Sequence, residues 1–172
     1  MGFGPFYCIE TLQESVYHFP MSHNTKKVVV AVSGGFDPLH IGHVRMMEEA
    51  KALGTYLVVI LNNDNWLRAK KGKPFMQEQE RKEIIEALRC VDEVVLTKHP
   101  ENPTDMSVAD ALAEIKPDIF ANGGDRKLGT HAPKESIVCA EIGCKEVFGI
   151  GHGGKVQSSS WLIDEAIKAK QG

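Results

Sequence analysis

The sequence predicts an α/β fold built on a five-stranded parallel sheet. Three observations lead there. Five short apolar, β-branched runs recur along the chain, and segments of helical periodicity separate them. Such alternation implies right-handed crossovers, with helices covering the sheet. The runs end in Gly- or Asn-rich turns, and sheets of this kind bind ligands at the carboxyl ends of their strands. A length of 172 residues fits one domain with a sizeable core, and 42% hydrophobic with 25% charged residues is the balance of a soluble globular protein.

The elements follow in order. Residues 27–32 (KVVVAV) are the first strand, and residues 44–54 a helix with strong helix formers and a stop at Gly54. Residues 56–61 are the second strand, and 62–65 a loop beside the ligand. Residues 68–74 read as a basic, mobile loop with breakers Gly72 and Pro74. Residues 77–88 are an amphipathic helix with Ile84, Ile85 and Leu88 on one side. Residues 92–96 form the third strand, 99–103 a loop, and 107–115 a helix stopped before Pro117. Residues 118–121 are the fourth strand. Residues 133–142 are a helix ended by Gly143, and 145–149 the fifth strand. Residues 151–154 are a flexible turn. Ser158, Ser159 and Ser160 cap a last helix through Lys168. The sum is a Rossmann-like three-layer fold with a five-stranded parallel sheet. Residues 1–26 do not fit this pattern and are expected to be an N-terminal extension to a domain over 27–172.

Composition excludes several classes. A net charge of −3 and a pI near 6.2 argue against a nucleic-acid binder. No run approaches a membrane span, and no signal-peptide pattern opens the chain. Of Cys8, Cys90, Cys139 and Cys144 only the last two are close, without a second pair, so zinc is not expected. Reduced thiols and a cytoplasmic location are the simplest expectation.

The chemistry centres on residues 33–43, SGGFDPLHIGH. A strand, a glycine-rich turn and a helix N-terminus expose backbone N–H groups and a positive dipole end, which together suit a phosphate. His40 and His43 lie three residues apart on one helix face, within reach of one phosphate. The stretch is neither a P-loop nor a G-x-G-x-x-G turn. A cluster of Lys70, Lys71 and Lys73 follows the second strand. Taken alone it is a solvated charge run. Gly123, Gly124 and Asp125 end the fourth strand, where glycines let a base approach the backbone and Asp125 can accept from a ribose hydroxyl or base amino group.

The segment from Gly35 to His43 resembles the H-x-G-H signature of the cytidylyltransferase-like nucleotidyltransferases, over roughly residues 27–170. These enzymes join a nucleoside triphosphate to a phosphorylated acceptor and release pyrophosphate. The resemblance implies that His40 and His43 hold the α- and β-phosphates and stabilise the transition state. It implies backbone approach at Gly35 and Phe36, and a helix start kept open by Gly42. Asp37 would lie near the reacting phosphates, fixing the loop or a histidine, or simply cap the turn. Lys70 or Lys71 would face the attacking phosphate, and Arg81 would orient substrate phosphate. Ser158, Ser159 and Ser160 would hold the β- and γ-phosphates at a helix N-terminus. Mg2+ is implied as counter-ion to the triphosphate.

Two features bear on the nucleotide. The Gly123-Gly124-Asp125 loop looks most like that of heptose-phosphate adenylyltransferases. The cytidylyltransferase pattern has Arg-Thr-Glu-Gly-Ile before its serine and threonines, whereas this chain has Gly153-Gly154-Lys155-Val156-Gln157, without the arginine. The expectation is CTP with a small phosphorylated alcohol or polyol. The alternatives are ATP with a sugar phosphate, and a nucleotide-binding module without turnover. The partners are CTP or ATP and a phosphorylated acceptor, without nucleic acid or a membrane span, and a homodimer is allowed.

Overall fold

The computed structural model describes residues 26–124, 133–151 and 157–171. Of the expected extension over residues 1–26 only Lys26 is described, and Asp125 and Lys155 lie outside the described residues. Eleven elements alternate along the chain: β1 (Val29–Gly34), α1 (Ile41–Lys51), β2 (Tyr56–Leu61), α2 (Asp64–Lys71), α3 (Glu78–Glu86), β3 (Glu93–Leu96), α4 (Ala109–Ile115), β4 (Ile119–Gly123), α5 (Pro133–Ile142), β5 (Lys145–Ile150) and α6 (Ser159–Gln171). The strands form one sheet in the order β3-β2-β1-β4-β5, with every pair parallel. The chain builds outward from β1 through β2 to β3, then returns to the other side of β1 for β4 and β5. The order therefore reverses between β1 and β4, and that reversal opens a crevice at their carboxyl ends.

Alternation along the strands divides the core in two. Val30 and Val32 of β1 point to one face with Leu57, Val59 and Leu61 of β2, and meet Met47 and Ala50 of α1 and Ile85 of α3. Ala31, Ile60 and Phe120 point to the other face and meet Ala111 and Leu112 of α4 and Cys139 of α5. The sheet is thus the middle of three layers. Among the described residues no helix is long and apolar enough to cross a membrane.

The largest departure from the sequence expectation is α2. Residues 68–74, expected as a mobile basic loop, are mostly helix, and the turn begins only at Gly72 with φ 86°. Asn63 starts the helix by accepting the Trp66 N–H at 3.0 Å. Buried Leu67 anchors it, and the Trp66 indole donates to Met106 O at 2.9 Å. Loop 97–107 holds its first turn: Thr97 Oγ1 accepts the Asn63 N–H, and His99 O accepts from the Asn63 and Asn65 side-chain amides. These contacts join residues some thirty to forty positions apart, so local pattern does not reveal them.

Other boundaries move less. β1 and β4 run on into Gly34 and Gly123. α3 covers Glu78–Glu86, and Ile84, expected on its packed side, is exposed while Ile85 is buried. α4 starts at Ala109 rather than Ser107, because the Asp105 carboxylate takes the Ser107 N–H and Glu135 of α5 takes the Val108 N–H.

Gly54, between α1 and β2, shows how tightly the layers meet. A Cβ there would fall 2.6 Å from Val30 Cγ2 and 2.7 Å from Val28 O. Backbone cannot yield as a side-chain tip can. Gly54→Ala should cost about 1–3 kcal/mol by overpacking, read as a lower urea midpoint with unchanged m-value. An unchanged midpoint would show that the α1–β2 corner yields freely.

Candidate active site

The site begins where β1 ends. Ser33 and Gly34 finish the strand, and Phe36 turns back over it with φ 48°. Its ring lies so close that a Cβ on Gly34 would sit 2.8 Å from Phe36 Cζ. A Cβ on Gly35 would meet Leu67 Cδ2 at 2.9 Å. These two glycines are therefore required by contact. The Phe36 ring meets His43 edge-on, with centroids 5.0 Å apart.

His40 and His43 stack at the start of α1, their ring centroids 3.6 Å apart and 19° from parallel. Gly42 permits this, since a Cβ there would press on the His40 ring at 3.0 Å. His43 Nδ1 accepts the His40 backbone N–H at 3.3 Å. The neutral ring must then carry its proton on Nε2, which is left as a donor. Burial, then repulsion from His40 and Lys71, pushes the His43 pKa down to about 3. Burial also lowers that of His40, with a further contribution from Lys71. Near neutral pH the pair is a set of N–H donors at a helix N-terminus rather than two cations.

Lys71 stands beside them. Its ammonium donates to Asp37 O at 2.8 Å, and partial burial lowers its pKa despite the pull of Asp37. Lys71 lines the cleft. Lys70 points elsewhere, exposed, with Nζ 5.7 Å from the centre of the Trp66 ring. The structure thus separates two residues that sequence spacing could not.

Two expected site residues turn inward instead. Asp37 is buried, and its carboxylate accepts the Phe75 and Met76 N–H groups at 2.8 Å each. It fixes the chain after α2 rather than a histidine, and it is not part of the cleft lining. Arg81 was expected to orient substrate phosphate. Its side chain is instead fully buried: Nε donates to Met76 O, Nη1 to Gly35 O and Asn62 O, and Nη2 to Asp64 Oδ1 at 2.7 Å. A guanidinium committed to three carbonyls and a carboxylate positions the site without lining it.

The opposite wall comes from β4, β5 and α6. Asn122, Gly123 and Gly124 end β4, Ile150 and Gly151 end β5, and Gln157, Ser158, Ser159 and Ser160 lead into α6. Ser159 does not cap its own helix. Its hydroxyl donates to Pro38 O at 2.9 Å and ties α6 to the β1 turn. The N-terminus of this 13-residue helix consequently faces the same space as the histidines. The cleft between these walls measures about 300 Å³. Met46, Asn122, Ile150, Gly151 and Gln157 line it without having been named as site residues, and Ser33 opens the stretch expected to carry the chemistry. For the strand-end residues the rule of carboxyl ends was the available signal, whereas nothing in the sequence singled out Met46.

The cleft brings together a neutral histidine pair, one ammonium and the N-termini of α1 and α6, with Met46 and Ile150 as apolar lining. A sequence model of the cytidylyltransferase-like family matches residues 31–143. The chain belongs to this family. It is 40% identical over 163 residues to the bifunctional protein HldE of Citrifermentans bemidjiense, covering 94% of this chain and 31% of that one. It is 35% identical over 146 residues to the FAD synthase of Thermococcus sibiricus, covering 83% and 95%. The chain thus spans about a third of the bifunctional relatives and nearly all of the FAD synthase. The lipopolysaccharide core biosynthesis protein of Thermoplasma volcanium superposes with a TM-score of 0.59 at 30% identity, over 74% of this chain and 99% of that one. The chain has the Rossmann-like α/β fold of a cytidylyltransferase-like domain.

Two outcomes test the geometry. Arg81→Met leaves the Asp64 carboxylate buried without its partner and should cost about 3–5 kcal/mol, seen as a fall in the denaturation midpoint. A cost below 1 kcal/mol would mean that water replaces the guanidinium. His43 gives a pH signature. Its folded pKa, about 3, lies below the ordinary 6.5, so across that window the unfolded chain binds more protons. The contribution to stability is full above pH 6.5 and is lost as pH falls toward 3. His43→Asn should flatten the dependence of unfolding free energy on pH in that range, measured by urea titrations at several pH values. An unaltered slope would show that His43 takes up a proton as easily folded as unfolded.

Proposed function

We propose that this cytidylyltransferase-like chain transfers an adenylyl group from ATP to a small phosphorylated acceptor of the sugar-phosphate type. The observation that carries the transfer is the stacked His40–His43 pair facing Lys71 and the N-terminus of α6 across one cleft. An acceptor phosphate oxygen attacks the α-phosphorus. A new P–O bond forms, the bond between the α-phosphorus and its bridging oxygen to the β-phosphorus breaks, and pyrophosphate leaves with that oxygen. Such a reaction needs positioning and charge stabilisation, with no protein nucleophile. His43 Nε2–H and the α1 amides meet the developing charge, the α6 N-terminus takes the leaving phosphates, and Lys71 receives the incoming acceptor phosphate. Among the described residues lining the cleft there is no carboxylate. This suits magnesium arriving with the triphosphate and held by its oxygens.

Adenine is favoured over cytosine on two grounds. FAD contains an adenylyl group, so relatives named FAD synthase make an adenine nucleotide. The glycine loop after β4 and the missing arginine before Ser158 depart from the cytidylyltransferase pattern. The relatives do not support the first expectation, CTP with a polyol phosphate.

Pyrophosphate release by the full chain, with each of the four nucleotides against heptose phosphate, glycerol phosphate and FMN, tests the proposal. ATP should exceed CTP at least tenfold, on the order of one lost base contact. A preference for CTP would reverse the donor assignment, and no release with any pair would favour the silent binding module. His40→Ala and His43→Ala should each lose ~100-fold in kcat, the scale of removing one transition-state donor. Lys71→Ala should lose at least about tenfold, while Lys70→Ala stays near the parent. Equal losses for the two lysines would contradict their different placement.

A further inference from the structure

Helix α1 does more than present histidines. His43, Met46 and Glu49 follow one another at intervals of three along it, an inclined ridge on the helix surface. His43 and Met46 line the cleft. Met46 is wedged under its far wall: a Cβ on Gly123 would lie 2.5 Å from Met46 Sδ, and one on Gly151 would lie 3.4 Å from Met46 Cβ. Glu49, one step further along, accepts the Gly151 backbone N–H through Oε2 at 2.8 Å. This bond joins residues 102 positions apart.

The backbone it holds is irregular. The pairing of β4 with β5 passes from Asn122↔Phe148 to Gly123↔Ile150, so Gly149 is an extra residue in β5, with φ 77°. Gly151 follows with φ 103°. A bulge bends its strand and leaves a residue outside the ladder, and two glycines at positive φ have many other conformations open to them. Something must choose among these. Glu49 fixes the end of the bulged strand from below, and Met46 fills the space between it and Gly123.

We propose that Met46 and Glu49 determine nucleobase selectivity. Met46 sets the depth of the floor at the Gly123–Gly151 end of the cleft, and Glu49 is a positioning residue that holds Gly151 in the shape this floor requires. The proposal rests on the reading of the cleft as a nucleoside triphosphate site with its base at the β4–β5 end. Neither residue meets the reacting phosphates. Their effect falls on recognition of the donor base and spares the chemical step and the acceptor.

The test is steady-state kinetics of the full chain with ATP and with CTP at saturating acceptor, beside calorimetric ATP binding. Glu49→Ala removes the acceptor oxygen, and Glu49→Asp withdraws it by one methylene. Each should raise the KM and Kd for ATP about tenfold, the scale of a hydrogen bond to a charged group. kcat and the acceptor KM should stay within about twofold, since the phosphate donors are untouched. Glu49→Gln keeps an oxygen for the Gly151 N–H and should remain within about threefold of the parent. Met46→Ala should lower the ATP-to-CTP ratio of kcat/KM by about fivefold or more, the scale of altered packing in an apolar pocket. The proposal is overturned if Glu49→Gln is as damaging as Glu49→Ala, if kcat and both KM values move together, or if no variant moves any of them. His43→Ala serves as the control. If it abolishes turnover while the Glu49 and Met46 variants match the parent, only the selectivity proposal falls. If the parent itself neither binds nor transfers a nucleotide, the reading of the cleft falls, and the proposal with it.

Discussion

One buried guanidinium holds the histidine side of the cleft together. Arg81 sits in α3, behind the cleft lining, and its donors reach Gly35 O after β1, Asn62 O after β2, Met76 O before α3, and the Asp64 carboxylate at the start of α2. The first two carbonyls belong to turns that leave the sheet, and the third to the turn before α3. Buried backbone oxygens without partners are costly, and so is a buried charge without them. Joined, each supplies what the other lacks. The planar fork of arginine can serve several oxygens at fixed angles, which a lysine ammonium in its place could not.

The consequence for the site is that positive charge is held back. Arg81 is committed to structure, Lys71 donates to Asp37 O, and burial lowers the proton affinity of both histidines. The cleft is lined by the first residues of α1 and α6 and by His43, whose Nε2 carries the ring proton. Dipoles fixed in advance need no rearrangement when charge develops in a transition state. The Asp37 carboxylate serves the same end. By accepting the Phe75 and Met76 N–H groups, it anchors the turn after α2 and so keeps Lys71 at the mouth of the cleft.

What the sequence revealed follows from the range of the interactions involved. β1 and β2 were legible as continuous apolar runs and β3, β4 and β5 by their shorter apolar centres between helical segments, and the β1–α1 turn because glycines and histidines there obey local geometry. α2 was not legible: its last turn is lysine and arginine, and the contacts that stabilise it, from Thr97, His99 and Met106, come from another loop. Arg81 was expected to orient phosphate through the family resemblance, and its buried partner Asp64 lies seventeen positions away. Ser159 looked like a helix cap and instead reaches Pro38, 121 positions back. In each case residue type suggested a role, and a tertiary partner decided it.

The two halves of the cleft are built on different terms. On the histidine side, β1, α1, α2 and α3 are tied by the buried Arg81 and Asp37 side chains, and geometry is narrowly determined. On the far side, β4 and β5 end in glycines at positive φ and a bulge, where the backbone alone specifies little. α1 is the element common to both. Its first turn carries the histidine donors, and its next two turns carry Met46 against Gly123 and Glu49 on Gly151. A rigid helix transmits position along its length, so the far wall is held at a set distance from the histidine pair at the start of α1. On the function proposed above, that division would let the floor of the pocket change by substitution at Met46 or Glu49 without disturbing the donors of the transfer.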